Sequence, residues 1–415
     1  MDENILIIGA GMAGLSIAHQ LKSKYNVRLI EKESKPGGLI RCERINGNLY
    51  HLVGGHVFNS KRTDVLNWFW GFFKEKEDFI KSSRNAVILW SNYFFVDYPI
   101  ENHIYQLDIN TIKEVVNDLL LITSKKNVTL TNLGDFMRYN YGDTLYKTYF
   151  KPYNEKIWDK DLNNIPLSWL NDKLPMHTIR DIICNNFNRT NKEDMVHKYF
   201  YYAKKNGSQY FADNLSKELN ITYNSNVVSL ERYNNKWIVR GDQFDKIIFC
   251  GNIKDISQIL HNSMDISSFE KSISNLDYHG TTSVLVEIDK NPYSWIYLPS
   301  SEYSSHRIIC TGNFAHSNNN CERLTAVIEF TNYVDKNEIL NNLKKIPFNP
   351  TYLAHEYTKY TYPIQDENTR TLISHLKAKL EYNNLFLLGR FAEWEYYNMD
   401  TIMGAAIDLS RKILN

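Results

Sequence analysis

The sequence has 415 residues, enough for a large core and about two or three subdomains. Its 48 basic and 47 acidic side chains give a formal charge of +1, which argues against a nucleic-acid-binding protein. No apolar run is long enough to span a bilayer, and because a strand is predicted from Ile5 we expect no signal peptide. The five cysteines are scattered, so we expect reduced thiols in a cytoplasmic protein, and neither disulfides nor a metal site.

The first predicted elements form a strand, a glycine-rich turn and a helix. Residues 5–8 are apolar and predict a buried parallel strand, and the helix begins near Leu15. A second strand, residues 27–30, ends in Glu31. An acidic residue at the end of the second strand is typical of dinucleotide-binding domains, where it accepts hydrogen bonds from ribose hydroxyls.

The turn itself carries the spacing Gly9-x-Gly11-x-x-Gly14. Gly9 allows the tight turn, Gly11 lets the backbone approach a pyrophosphate, and Gly14 lets the helix pack closely on the strand. The free amides at the helix N-terminus favour phosphate oxygens. Because the triad lies between a strand and a helix, it predicts a dinucleotide site rather than an empty turn.

A hairpin and a second glycine pair follow. Residues 45–50 contain Asn-Gly and predict a tight hairpin. Gly54 and Gly55 are adjacent, which indicates backbone lying against a ligand. His56 follows them, so we place it beside that ligand, with a core histidine as the alternative. Residues 63–74 predict an amphipathic helix that faces the core.

The middle of the chain is predicted to be helical after a hairpin at residues 86–99. Residues 104–121, 132–149 and 167–187 have helical periodicity and predict an inserted helical subdomain. The polar stretch 185–194 breaks this pattern and predicts a mobile loop.

Short strands dominate the second half. A helix at 210–218 precedes strands at 221–223, 227–230, 237–240 and 246–250, the last returning to the first sheet. A further set predicts a separate antiparallel sheet that covers the substrate: residues 281–289, 295–298, 307–310 and 326–330. A buried strand at 385–388 and a helix at 401–414 end the chain.

Several stretches together resemble the flavin-dependent UDP-galactopyranose-mutase family of the amine-oxidase superfamily. They lie between residues 5 and 410 and comprise Glu31–Gly38, Gly54–His56, Tyr146–Trp158, Tyr360–Ile364 and Gly389–Asp400. In the family, Tyr360–Ile364 corresponds to a Tyr-Pro-Ile turn. The resemblance implies an isomerase that uses FAD.

With this resemblance, the predicted fold class is α/β, with a Rossmann-type FAD-binding domain, an inserted helical subdomain and an antiparallel sheet substrate domain. We assign residues 1–80, 205–275 and 376–415 to the FAD domain. Residues 100–204 form the helical subdomain with its mobile loop. Residues 81–99 and 276–375 form the substrate domain.

The resemblance implies that FAD is active in its reduced form, with NAD(P)H as external reductant. Arg41 would lie near the phosphates, Arg390 near the isoalloxazine, and the helix after Asp400 would point its N-terminus at the flavin. The implied cofactor-binding residues are Gly9, Gly11, Ala13, Gly14, Glu31, Lys32, Gly38, Leu39, Arg41, Gly55, His56, Val228, Gly389, Arg390, Asn398, Met399 and Asp400.

The implied reaction interconverts the pyranose and furanose forms of an NDP-hexose or deoxy-sugar, for surface polysaccharide synthesis. In the family, N5 of reduced FAD attacks the anomeric carbon, and the sugar rearranges on the flavin before the diphosphate returns. The protein must therefore stabilise a leaving diphosphate on a UDP- or dTDP-linked sugar.

Arginine and tyrosine side chains suit a diphosphate, because they donate hydrogen bonds to phosphate oxygens. Arg307 matches a basic position of the family's substrate sheet. Arg180 is preferred over Arg189 as the loop arginine, since it follows Leu174-Pro175 as in the family.

Aromatic residues complete the implied site. Tyr362 and Tyr396 match family positions that bind phosphate oxygens, and Trp158 would stack near the sugar or the base; core packing is the alternative for Tyr362 and Trp158. The expected catalytic residues are His56, Arg180, Arg307, Tyr362 and Tyr396.

The chain also departs from the family. An arginine expected after Glu329-Phe330 is missing, since Thr331 and Asn332 follow, and Glu101 replaces an asparagine. Gly55 replaces a proline, and Leu39 follows the Gly37-Gly38 pair as in amine-oxidase relatives. Because of these changes, dTDP-fucose or another deoxy-sugar nucleotide fits as well as UDP-galactose.

Two other functions stay open at this stage. An oxidoreductase of the amine-oxidase or protoporphyrinogen-oxidase type would need an apolar or amine-selective pocket, whereas the predicted one is rich in Arg and Tyr. The other function is non-enzymatic, with FAD as a structural or sensory ligand. The array of polar site residues fits this function least. The sequence does not determine the oligomeric state and leaves a homodimer open.

Overall fold

The computed structural model describes residues 3–91, 94–124, 129–167, 178–189 and 199–415. Its strands are β1 (Asn4–Ile8), β2 (Asn26–Ile30), β3 (Cys42–Ile45), β4 (Asn48–His51), β5 (Phe79–Ser83), β6 (Ala86–Ser91), β7 (Phe94–Asp97), β8 (Tyr199–Ala203), β9 (Asn220–Thr222), β10 (Glu231–Tyr233), β11 (Lys236–Val239), β12 (Asp242–Phe244), β13 (Lys246–Phe249), β14 (Asp277–Ile288), β15 (Trp295–Tyr297), β16 (Arg307–Ile309), β17 (Leu324–Thr331), β18 (Thr351–Ile364) and β19 (Leu385–Leu387).

The α-helices follow the same numbering. They are α1 (Met12–Leu21), α2 (Thr63–Trp70), α3 (Glu75–Asp78), α4 (Ile109–Thr123), α5 (Leu133–Leu145), α6 (Lys151–Trp158), α7 (Ile179–Asn188), α8 (Gln209–Ser216), α9 (Ile256–Leu260), α10 (Ser267–Ser274), α11 (Lys336–Leu343), α12 (Thr369–Glu381) and α13 (Met399–Leu414). Within the described ranges, none of these helices is both long and apolar enough to cross a membrane.

A five-stranded parallel sheet, in the order β19-β13-β1-β2-β9, organises the nucleotide-binding half. Its central strand β1 is buried on both faces, because Ile5, Leu6 and Ile7 are inaccessible. α1 and α13 pack together beside it. The carboxyl ends of all five strands meet at one edge, where ligands of such sheets bind.

The second sheet has seven strands in the order β18-β14-β17-β16-β15-β6-β7. Its pairs are antiparallel except β6 with β15, which run parallel. One face, with Trp295 and Ile309, shares a core with α4, α5 and α6. The other face packs on α11. The predicted fold class is confirmed, with the correction that this sheet is not wholly antiparallel; the domain boundaries stay a prediction.

Two predictions about β-structure were wrong. Residues 227–230 are not a strand, because the Leu230 amide donates to the carbonyl of Ile259 instead of to a neighbouring strand. Tyr360–Ile364 is not a turn but the end of β18. Pro363 is tolerated there because β18 is an edge strand, where a missing N–H leaves no ladder bond unmade.

The helical predictions also need correction. α4 begins at Ile109 instead of residue 104, because the Asp108 carboxylate caps the amides of Asn110 and Thr111. Residues 185–188 belong to α7 instead of a loop, since the Asn186 side chain donates to the carbonyls of Ile182 and Glu101. The rest of the predicted loop, residues 190–194, and residues 168–177 of the predicted helix at 167–187 lie outside the described residues.

Candidate active site

A cavity of about 1000 Å³ lies between the two sheets. It is lined by residues that lie one to three positions beyond the carboxyl ends of the parallel strands, and by the face of β16 and β18 that carries Arg307 and Tyr362. The residues at the strand ends are Gly9 after β1, Glu31 after β2, Ser225 after β9, Asn252 after β13 and Gly389 after β19.

The glycine turn has the geometry that its spacing predicts. Gly9 has φ +106°, a conformation that favours glycine. A Cβ on Gly14 would lie 1.9 Å from the Gly9 carbonyl oxygen, so Gly14 is required for packing. A Cβ on Gly11 would approach only Gly38 Cα, at 3.9 Å. The space at Gly11 therefore faces the cavity.

Glu31 is fixed by the backbone. Its carboxylate is 6% exposed and accepts hydrogen bonds from the amides of Ala10, at 2.6 Å, and Glu33, at 2.9 Å. Beside it, Ser225 Oγ and Asn252 Nδ2 are buried and have no hydrogen-bond partner among the described residues. Unpaired buried polar atoms are rare, so these two fit a polar ligand such as the adenosine part of FAD.

His56 lies over the same cavity. Its Nε2 is 3.1 Å from the carbonyl oxygen of Leu39, which makes Nε2 the protonated nitrogen. Burial, followed by the charge of Arg390, lowers the pKa of His56 to about 4. The ring is therefore neutral at physiological pH. Gly55 has a structural role as well, because a Cβ there would lie 2.5 Å from Ile309 Cγ2.

Arg307 and Glu329 form a buried ion pair next to the glycine pair. Arg307 Nε donates to Glu329 Oε2, and Nη2 donates to the hydroxyl of Tyr362 at 3.1 Å. Burial opposes the charge, but Glu329 outweighs it and raises the pKa of Arg307 well above its ordinary value. Glu329 Oε1 is buried without a partner among the described residues, close to Gly54. The pair holds the Arg307 guanidinium in the cavity wall, while Glu329 itself does not line the cavity.

An aromatic stack forms the opposite wall. The ring of His279 lies 4.7 Å from that of Tyr362, Tyr362 lies 5.5 Å from Tyr396, and the Arg390 guanidinium lies 4.8 Å above Tyr396. Trp158 meets the edges of this stack at 5.8 Å from Tyr362. Burial, with an opposing effect of Arg307, raises the pKa of Tyr362 to about 12, so its hydroxyl keeps its proton.

The C-terminal helix completes the site. Arg390 donates to the carbonyl oxygens of Thr361 and Tyr397, which fixes the guanidinium between the two sheets. α13 begins directly after Asn398, and its first residues line the cavity. Its free amides and positive dipole end face the same space.

Most of the predicted site residues are brought together, and three are not. Gly14 packs inside the fold, Trp158 lies behind the tyrosines, and Arg180 is exposed on α7. The alternative Arg189 lies over the ring of Tyr105. The predicted site residues that do line the cavity are Gly9, Gly11, Ala13, Glu31, Lys32, Gly38, Leu39, Arg41, Gly55, His56, Val228, Arg307, Tyr362, Gly389, Arg390, Tyr396, Asn398, Met399 and Asp400.

Two of the positions at which the chain departs from the family pattern, Asn332 and Glu101, do not line the cavity. Asn332 has φ +62° and donates to the Asp159 carboxylate, and it does not line the cavity. Glu101 is buried, and burial raises its pKa to about 7. The segment Leu174-Pro175, on which the choice of Arg180 depended, lies outside the described residues.

Sequence reasoning missed several polar residues that line the cavity, among them Arg84, Ser225 and Asn252. None belongs to a recognisable motif. The only signal for Ser225 and Asn252 is that they follow predicted strands, which places them at the ligand-binding edge of a parallel sheet. Arg84 had no comparable signal.

A comparison with protein families supports the predicted dinucleotide-binding unit at the start of the chain. The family described as NAD(P)-binding Rossmann-like domain matches residues 7–75. This range contains the glycine turn, Glu31 and the Gly54-Gly55 pair.

Two curated relatives resemble longer stretches. A dTDP-fucopyranose mutase from Escherichia coli is 24% identical over 98% of this chain and 97% of its own. A probable UDP-galactopyranose mutase from Klebsiella pneumoniae is 26% identical over 42% of this chain and 46% of its own. The predicted resemblance to the nucleotide-sugar mutases is thus confirmed.

Solved structures show the same fold. The structure of a reduced UDP-galactopyranose mutase superposes on this chain with a TM-score of 0.88 and 19% identity. The match covers 100% of this chain and 94% of that one. A putative protoporphyrinogen oxidase from Exiguobacterium covers this chain at a TM-score of 0.77 and 12% identity. At these identities the likeness concerns the fold.

Proposed function

We propose that the protein is a nucleotide-sugar mutase, an isomerase that interconverts the pyranose and furanose forms of a UDP- or dTDP-linked sugar with FAD as cofactor. One observation carries the proposal: a dinucleotide turn and the cluster of Arg307, Tyr362 and Tyr396 open into the same cavity. The mutase relative that matches nearly the whole chain supports it.

The chain's own residues fit FAD. Gly11 and the first amides of α1 would hold the pyrophosphate, Glu31 a ribose, and Arg390 with the start of α13 the isoalloxazine end. When bound in its reduced form, FAD supplies the nucleophile for the anomeric carbon of the sugar. An external NAD(P)H-dependent donor would provide the electrons.

The remaining task is to stabilise a departing and returning diphosphate. Arg307 provides a permanent charge and a planar fork for phosphate oxygens. The Tyr362 hydroxyl keeps its proton and can donate in the same direction. His56 stays neutral and therefore adds no charge of its own to the cavity. Such preorganised donors stabilise charge that develops on a leaving group.

The sugar and the biological role form the finer part of the proposal. The sugar is a 6-deoxyhexose such as fucose, or a hexose such as galactose, and the furanose product serves surface polysaccharide synthesis. The relative that matches the full length acts on dTDP-fucopyranose by its name, which favours a deoxy-sugar.

Anaerobic turnover tests this function. The purified protein is loaded with FAD, reduced with dithionite and incubated with dTDP-fucopyranose or UDP-galactopyranose, and products are separated by chromatography. We expect a furanose product with reduced flavin and none with oxidised flavin. An oxidase outcome, namely stoichiometric peroxide from an amine or a porphyrinogen without sugar isomerisation, would refute the proposal.

A further inference from the structure

Arg84 is a second guanidinium at the substrate end of the cavity. It lies two residues before β6 and lines the cavity together with Trp295, Arg307 and Ile309. Its Nη2 donates to the Tyr297 hydroxyl, and its Cζ lies 4.8 Å from the ring centroid of Trp295. The head group is thus held in place by aromatic residues.

The charge of Arg84 is not compensated within the described part of the chain. No carboxylate there forms an ion pair with it, and its Nε is buried without a hydrogen-bond partner. Arg307, by contrast, has Glu329 as its counter-ion. Because a partly buried cation without an anion is costly, an unpaired arginine in a ligand cavity indicates an anionic ligand.

The sheet register and a hydrogen bond relate Arg84 to Arg307 through Tyr297. Tyr297 on β15 lies directly opposite Arg307 on β16, so the two side chains point to the same face. Arg84 donates to the Tyr297 hydroxyl, and both guanidiniums line the same cavity. A diphosphate carries charge on two adjacent groups and matches two arginine forks.

We propose that Arg84 is a second anion-binding arginine of the substrate site and binds the diphosphate of the nucleotide sugar together with Arg307. The proposal rests on the proposed function for the identity of the ligand. It assigns a specificity role to a residue that no motif marks.

Binding measurements test the role of Arg84 without turnover. We compare the wild-type FAD-loaded protein with Arg84→Gln by titration calorimetry against UDP, dTDP, pyrophosphate, uridine and thymidine. Glutamine removes the charge but keeps a donor for Tyr297. We expect about 10- to 100-fold weaker binding of UDP, dTDP and pyrophosphate, and unchanged binding of the nucleosides.

Two results would overturn the proposal. One is unchanged affinity for the diphosphates; the other is an equal loss for the nucleosides, which would indicate general damage to the cavity.

Controls separate binding from folding. Arg28→Gln removes a half-exposed arginine that pairs with Asp242, away from the cavity, and should leave all affinities unchanged. If Arg84→Gln fails to retain FAD, Arg84→Lys decides, because lysine keeps the charge but lacks the fork. We expect it to weaken diphosphate binding several-fold, and wild-type affinity in this variant would refute the proposal.

The outcomes distinguish this inference from the proposed function. A wild-type protein that binds nucleoside diphosphates through Arg84 but forms no furanose sugar refutes the mutase and leaves the anion site. An active mutase whose Arg84→Gln variant binds normally refutes the anion site and leaves the mutase.

Discussion

Arg307 and Glu329 lie directly opposite each other on β16 and β17, and the guanidinium of Arg307 donates to the carboxylate of Glu329. Glu329 is completely buried, and Arg307 is its counter-ion. Arg307 therefore both faces the ligand cavity and neutralises a buried acid. These two roles can be separated by experiment.

Arg307→Ala should weaken the binding of UDP or dTDP by on the order of 1.5–3 kcal/mol, the value of a charge-assisted contact. It should also lower the free energy of unfolding by about 3–5 kcal/mol, because Glu329 is left as an unpaired buried charge. Calorimetry and urea denaturation measure the two effects. In the double variant Arg307→Met with Glu329→Gln, stability should recover while affinity stays low. An Arg307→Ala protein with wild-type nucleotide affinity would remove Arg307 from the site.

Gly11 and Gly14 should respond differently to the same substitution. Gly11→Ala meets only Gly38 Cα at 3.9 Å, so the protein should fold but lose flavin as the Cβ enters the phosphate space. Gly14→Ala should fail to fold, since its Cβ would lie 1.9 Å from the Gly9 oxygen. Circular dichroism and flavin absorbance report the two outcomes. Gly241→Ala is the control for a glycine outside the cavity: its Cβ meets nothing within 4 Å, but its φ of +87° strains an alanine, so the variant should lose some stability and still bind flavin normally. Normal flavin content in Gly11→Ala would contradict the assignment of the turn.

Lys156 should anchor the loop that precedes Arg307. Its ammonium donates to the carbonyls of Leu298, Ser300 and Tyr303 at 2.8, 2.6 and 2.8 Å. Lys156→Met leaves these carbonyls without their donor, so we expect about 2–4 kcal/mol lower stability. On the same helix, the more exposed Lys151→Met should change stability by less than about 0.5 kcal/mol. Equal effects of the two substitutions in urea denaturation would refute this role.

His51 should make stability depend on pH. It is inaccessible and lies 2.7 Å from the Tyr202 hydroxyl, and burial lowers its pKa from 6.5 to about 3. Between these pH values the unfolded chain binds one more proton than the folded one at this site, so stability rises with pH, by about 1.4 kcal/mol per unit at most. His51→Gln should reduce the slope of unfolding free energy between pH 5 and pH 6.5 by part of one proton. The exposed His261→Gln serves as the control for losing a histidine. An unchanged slope in His51→Gln would show that this ring is already charged in the folded state.

The nucleotide half of the protein could be predicted because its signals are local. The turn from Gly9 to Gly14 and the acid at Glu31 lie within one strand–helix–strand unit, where neighbours in sequence are neighbours in space. The same holds for the Asn46-Gly47 hairpin, whose two residues have positive φ angles. The later motifs, such as Gly389–Asp400, were identified through resemblance instead of through local physics.

The substrate half was decided by contacts between distant segments. Pro363 looked like a turn residue until the sheet order placed it on an edge strand. The stack of His279, Tyr362 and Tyr396 and the free charge of Arg84 depend on strand register and on which face of the sheet each side chain takes. Such pairings cross large separations in sequence, and no local pattern encodes them. The sequence by itself therefore determined that a dinucleotide binds at the first turn, whereas only the tertiary structure decided which charged and aromatic side chains face it.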